Sequence, residues 1–227
     1  MLTLEEMEAL RLSLGVAFVA TLVSIPLAIA TAFALSRGRF AGRALLDSAV
    51  HLPLVLPPVV TGYLLLMTFG RRGPVGQLLE SHFGIVLSFR WTGAVLAAAI
   101  MGFPLLVRSV RLSLEAVDRR YEQAAGSLGA NPTWVFLTVT LPLTLPGVLA
   151  GAILAFAKAL GEFGATITFV SAIPGETKTI PAAIYGYVQT PGADGNAMRL
   201  AALSALVSIA ALAASETMTR RYAQQEN

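Results

Sequence analysis

The sequence predicts an all-α, polytopic membrane protein built as one domain over residues 1–227. Three observations carry that prediction. Only 13% of the residues are charged, about half the roughly 25% of soluble domains. The mean hydropathy is +0.71. Charge-free runs long enough to span a bilayer recur along the chain. These features argue against a soluble globule, a disordered tail or a nucleic-acid binder. The net charge of +3 reads as arginines that set membrane orientation. With no cysteine, disulfides, thiol chemistry and cysteine-based metal sites are excluded.

A helix needs about 20 apolar residues to cross roughly 30 Å of hydrocarbon. The first run has 25 uncharged residues between Arg11 and Arg37, with a kink expected at Pro26. Acidic Glu5, Glu6 and Glu8 precede it instead of a basic segment, so no signal-peptide cleavage is expected. The second run, Leu52 to Gly70, contains Pro53, Pro57 and Pro58, so a helix there must bend or break. Irregular backbone at membrane depth needs cover from protein or a wet cavity, so this segment should face the protein interior. Further spans are expected at Trp91–Val107, from Pro142 through Ala157, and at Leu200–Ser215. Thr179 to Ala193 is too polar and too rich in Pro and Gly for a regular span; if it inserted, five spans would become six.

Five spans put the termini on opposite sides. One set of loops carries nine basic residues: Arg37, Arg39, Arg43, Arg108, Arg111, Arg119, Arg120, Arg220 and Arg221. The other carries six: Arg11, Arg71, Arg72, Arg90, Lys178 and Arg199. The excess places the nine-residue side in the cytoplasm, hence an outside N-terminus and a cytoplasmic C-terminus.

Between the third and fourth spans, 113–140 reads as two short helices with a tight turn at the cytoplasmic face. Gly129 and Asn131-Pro132 punctuate it, and the second helix should start near Pro132. Small residues around Gln123, Ala124, Ala125 and Gly126 would let another protein approach closely. An amphipathic helix resting on headgroups fits the same pattern.

Here the spacing resembles the cytoplasmic EAA motif of bacterial ABC-importer permeases: E-A-A, three residues, G, nine residues, I-x-L-P. Gln123-Ala124-Ala125 is followed after three residues by Gly129, and after nine more by Val139-Thr140-Leu141-Pro142. Gln123 replaces the pattern's Glu, with Glu122 one position earlier, and Val139 replaces Ile. Further stretches are similar to the permease subunit of molybdate ABC transporters: HLPLVLPPVVTGYLLL from His51, LPLTLPG from Leu141, LGEFGATITFVSAIPGETKTIP from Leu160 and QTPG from Gln189. The resemblance implies a bacterial inner-membrane homodimer that passes molybdate, or tungstate, into the cytoplasm. It also implies separate ATPase subunits that bind ATP and Mg, an external oxyanion-binding protein, and coupling through Glu122, Gln123, Ala124, Ala125, Gly129, Leu141 and Pro142. A permease for another oxyanion such as sulfate is the near alternative. An intramembrane enzyme and a passive channel are the rivals from other classes.

The chain itself has no G-x-x-x-x-G-K-[ST] loop to cradle a nucleotide, no cluster with metal-ligand spacing and no nucleophile elbow. No catalytic residue, metal or bound cofactor is therefore expected. Lys158 and Glu162, four residues apart, should share one helix face. At ~1.5 Å per residue they lie roughly 24 and 30 Å beyond Pro142. They would line the translocation route with Gly164, Thr166 and the prolines 53, 57 and 58, or form a structural ion pair. Arg71 and Arg72, with Glu176 and Lys178 in the turn 175–178, are candidate contacts for the binding protein. Alternatively, the arginines anchor helix ends at headgroups.

Overall fold

The computed structural model describes residues 2–225. The side chains of 214, 215 and 218–225, including Arg220 and Arg221 of the orientation count, lie outside the described set. Helices follow one another as α1 (Leu4–Arg37), α2 (Arg43–Val55), α3 (Pro58–Phe69), α4 (Pro74–Phe83), α5 (Trp91–Ala116) and α6 (Arg119–Ser127). Then come α7 (Pro132–Val135), a π-helical turn (Phe136–Thr140), α8 (Leu141–Leu160), α9 (Gly164–Val170), α10 (Ile180–Val188) and α11 (Asp194–Gln225). There is no strand among the described residues.

Four continuous helical stretches are long and apolar enough to span: α1, α5, the run Pro132–Leu160, and Asp194–Ala213 within α11. The fifth expected span is the pair α2–α3, bent by 117°. The break falls at Leu56-Pro57, and the helix passes through Pro53 without ending. Pro57 takes an extended conformation and Pro58 opens α3 at its first position, where its missing N–H costs nothing. α10, with nine residues, rises only about 14 Å and cannot cross. α1 likewise continues through Pro26 and begins earlier than its charge-free run. There Thr3 and Glu6 form a reciprocal capping box that satisfies two otherwise orphaned N–H groups.

The fourth span starts ten residues before Pro142. A proline inside a helix clashes with the carbonyl four residues back. The π-helical turn widens the backbone just ahead of Pro142, with Leu141 N–H donating to the Phe136 carbonyl. The expected separate second helix of the hairpin is therefore the first turn of a helix that runs on as α8.

α5 is the central element, packed against α1 and α8. Close approach rests on small residues. α1 buries Ala9, Ser13, Ala17, Ala20, Ser24, Ala28 and Ala32. Lipid offers no hydrophobic drive for helices to associate, so van der Waals fit and interhelical hydrogen bonds take over. A Cβ on Gly151 would sit 2.8 Å from Ser109 Cβ and 3.0 Å from Leu106 Cδ1. Ser109 Oγ donates to the Gly147 carbonyl at 2.9 Å. Gly147 and Gly151 are packing residues.

α1, α5 and α11 run in the same direction between two ends, and α8 runs back against them. At one end Ile180 N–H donates to Ser13 Oγ at 2.7 Å and Arg199 pairs with Glu6 at 3.0 Å. At the other, Arg37 Nη2 donates to the Leu114 carbonyl at 3.2 Å. We call these the N-terminal end and the hairpin end.

Gly151→Val is expected to destabilise the protein by about 1–3 kcal/mol through overpacking, read as a lower unfolding temperature in detergent. Gly126→Ala, where a Cβ meets nothing within 4 Å, should not lower that temperature.

Candidate functional site

The hairpin is built from local signals. Asp118 caps α6 by accepting from Arg120 N–H at 2.9 Å. The chain then reverses at Gly129, whose φ of +89° is open to glycine and costly for most side chains. Asn131 Oδ1 accepts from Trp134 N–H at 2.8 Å, and Pro132 takes the first helical position.

Glu122 organises this hairpin from the inside. Its Oε1 accepts from Arg37 Nη2 at 3.2 Å and from Thr140 Oγ1 at 2.9 Å. One carboxylate thus ties α6 to the end of α1 and to the π-turn that leads into α8. Phe33 and Phe136 add an edge-to-face contact with ring centroids 5.0 Å apart between the same two elements. Glu122 therefore does not extend outward as a displaced copy of the motif's carboxylate. The outer surface belongs to its neighbours: Gln123, Ala124 and Gly129 are exposed and Ala125 is half-buried. Around them Leu128 is 89% exposed, and Tyr121 and Trp134 are also exposed. Leu141 and Pro142 lie at the base, on the continuous helix.

The second candidate region is where two helices break against each other. α8 ends at Leu160, so Glu162 stands beyond the helix and does not share a helical face with Lys158. The pair forms nonetheless, with Lys158 Nζ 2.8 Å from Glu162 Oε2. Glu162 turns back because its other oxygen accepts from Ala165 N–H at 3.0 Å, which opens α9. Burial of this carboxylate is offset by one cation and one N–H. Thr166 donates to the Phe163 carbonyl at 2.9 Å and Thr168 to the Gly164 carbonyl at 2.8 Å. Neither hydroxyl proton is free for an anion. A Cβ on Gly164 would sit 2.7 Å from Pro58 Cβ, so the start of α9 presses on the start of α3. Pro57, Pro58, Val59 and Val60 are exposed in the single chain. The expected cover for this break is not supplied by the chain's own helices.

At the N-terminal end the expected contact residues are not joined. No hydrogen bond or ion pair links Arg71 or Arg72 to Glu176 or Lys178 among the described residues. Among the described residues Arg71 reaches only Glu80, at 3.9 Å. Lys178 is engaged with Glu5 at 3.5 Å and lies 5.5 Å above the Tyr187 ring. Among the described residues no group of three or more His, Cys, Asp or Glu could hold a metal ion.

Sequence reasoning missed Arg37 and Thr140 as partners of Glu122, and Arg199 as the partner of Glu6. For Glu6, Thr3-x-x-Glu6 is a legible capping signature. For the others no local signal exists.

Long apolar spans, a capped hairpin at one end and broken helices between them make a membrane transport component. Residues 9–222 match the family described as "Binding-protein-dependent transport system inner membrane component", and the chain belongs to that family. It is 57% identical to the molybdenum transport system permease protein ModB of Escherichia coli (strain K12), over 96% of each chain. With the protein of that name from Haemophilus influenzae it shares 54% identity, over 95% of this chain and 94% of the other. A solved bacterial ABC transporter that imports the acidic polysaccharide alginate superposes with a TM-score of 0.74. It covers 96% of this chain and 80% of that one at 16% identity, a likeness of fold alone. Family membership makes this chain a transport subunit of the inner membrane and sets aside the intramembrane-enzyme reading.

Glu122→Ala is expected to cost about 2 kcal/mol, since it removes a charge-assisted hydrogen bond and leaves Arg37 uncompensated. Faster proteolysis and amide exchange over 119–131 would report it. Glu115→Ala, whose exposed pair with Arg111 is worth at most about 1 kcal/mol, should leave both unchanged.

Proposed function

We propose that this chain is the permease subunit of an ATP-driven importer of molybdate, with tungstate as an alternative cargo of the same charge and shape. The near full-length likeness to molybdenum transport permeases supports the substrate. The observation that carries the mechanism is the hairpin, tied inward through Glu122 and open outward at Gly129 and Leu128.

The N-terminal end faces outside and the hairpin end faces the cytoplasm, in keeping with the nine basic residues on the hairpin side. ATP and Mg are bound by separate ATPase subunits, because this chain lacks a phosphate-cradling loop. Those subunits grip the surface around Gln123, Ala124, Ala125 and Gly129. Movement of the hairpin passes through the Glu122 tie to α1 and to the helix Pro132–Leu160, whose 29 residues reach about 44 Å. At the far end of that helix lies the Glu162 turn, where α9 bears on α3. A rigid rod with a two-state contact at each end is the physical requirement for coupling over that distance.

A second copy of the chain covers the exposed break at Pro57 and Pro58, because backbone at membrane depth cannot be left to lipid. The route for the ion then runs between the two copies, past Pro53, Pro57, Pro58, Lys158, Glu162, Gly164 and Thr166. Lys158 is neutralised by Glu162, so this wall would guide a divalent oxyanion without trapping it, as transit demands. An external oxyanion-binding protein delivers the cargo to the N-terminal end, where Arg71, Arg72, Glu176 and Lys178 lie.

Co-purification with an ATPase, followed by vesicle uptake with molybdate, tungstate and sulfate in competition, tests the proposal. Uptake that molybdate and tungstate suppress and sulfate does not is the expected result. ATP-independent conduction, or preference for sulfate, would overturn it. Gly129→Asp should remain folded, because Asp tolerates left-handed backbone and a Cβ there meets nothing within 4 Å. It should nevertheless lower ATP-driven uptake by about tenfold or more, the effect of one buried unpaired charge at a docking surface. Lys158→Ala should assemble normally yet reduce uptake, because Glu162 is left unpaired in the route; unchanged uptake would make the pair purely structural.

A further inference from the structure

A cleft that the ion route does not use lies at the N-terminal end, between the start of α1, Trp91 of α5 and the turn 174–178, with a volume of about 590 Å³. Its depth in the membrane follows from the sequence. Arg11 immediately precedes the 25-residue charge-free run of α1, and Trp91 opens the 17-residue run of α5. Both sit where hydrocarbon gives way to headgroups, the level at which Trp and Arg concentrate. The cleft carries two unlike charges one helical turn apart on α1, Glu8 and Arg11. Neither makes a hydrogen bond or ion pair among the described residues. Below them the wall becomes apolar, with Leu12, Val16 and Val19 running toward the membrane interior. Gly15 lies in the middle of that wall, and a Cβ there would meet nothing within 4 Å. Glycine inside a helix is less stable than alanine, and no neighbouring backbone needs the space. Its missing side chain leaves a gutter along α1.

We propose that this cleft binds a zwitterionic phospholipid with a primary ammonium group, phosphatidylethanolamine by chemistry. The ammonium donates to Glu8, the phosphate accepts from Arg11, and one acyl chain lies in the gutter over Gly15. Lys178 is held against Glu5 and Tyr187, so Glu5 is already paired and Glu8 is the carboxylate left for the ammonium. The quaternary ammonium of phosphatidylcholine has no N–H to donate to Glu8. Phosphatidylglycerol lacks the cation and brings an uncompensated negative charge toward Glu5 and Glu8. The inference holds for either membrane orientation and does not depend on the transported ion.

The test is native mass spectrometry of the full chain in detergent, titrated separately with phosphatidylethanolamine, phosphatidylcholine and phosphatidylglycerol. One retained phosphatidylethanolamine per chain is expected, about tenfold tighter than phosphatidylcholine, the effect of one charge-assisted hydrogen bond. Glu8→Gln should abolish that preference, Arg11→Gln should weaken binding of all three lipids through the lost phosphate contact, and Gly15→Leu should reduce retention of all three. Melting temperatures identify any variant that fails to fold, and the first two substitutions are on exposed positions. Equal retention of the three lipids by the unsubstituted protein, or an unchanged preference in Glu8→Gln, would overturn the proposal.

Discussion

Inside a bilayer every backbone N–H and C=O must find its partner within the protein, and the arrangement of this chain follows from that constraint. Where the sequence allows continuous helices, the bonds close locally and α1, α5 and α8 need only pack. Their packing relies on alanine, serine and glycine, which let backbones approach where lipid provides no apolar drive. Where prolines and glycines interrupt the helices, the bonds must be completed by other means. Glu162 does so at the start of α9, and the π-turn does so ahead of Pro142. The break at Leu56-Pro57 is left open by the chain's own helices, which is why the second copy enters the functional reading.

The same constraint suits the molecule to the lever role proposed for it. A helix that runs unbroken from the hairpin to the Glu162 turn transmits displacement better than two helices joined at Pro142 would. Glu122 strengthens this by joining the hairpin to two spans at once. The exposed apolar side chains on its outer surface, Leu128, Tyr121 and Trp134, are costly in water and gain by contact with another protein. Tension between an anchored inner face and an uncovered outer face is what a docking element requires.

Much of this was legible in the residues. Charge-free runs located the spans, because desolvating a charge in hydrocarbon is expensive and the penalty is read one residue at a time. Gly129 and Asn131-Pro132 located the turn, because positive φ and helix starts are local chemistry. Other features misled. Pro53 resembles a break, yet α2 continues through it. Lys158 and Glu162 have helical spacing, yet the helix ends between them at Gly161. Thr166 was expected to line the route, but its hydroxyl proton is spent on a carbonyl of its own segment.

The amino-acid sequence alone determined the class, the placement of the spans, the hairpin and the family resemblance, since each rests on composition, period or spacing within a short window. Tertiary structure decided what Glu122 and Glu6 do. Their partners Arg37 and Arg199 lie 85 and 193 residues away, and only the packing of α1 against α5, α8 and α11 brings those charges within reach. Long side chains at a helix end have many partners available in principle. The direction each helix takes through the membrane selects among them, and no local pattern encodes that direction for a pair so far apart.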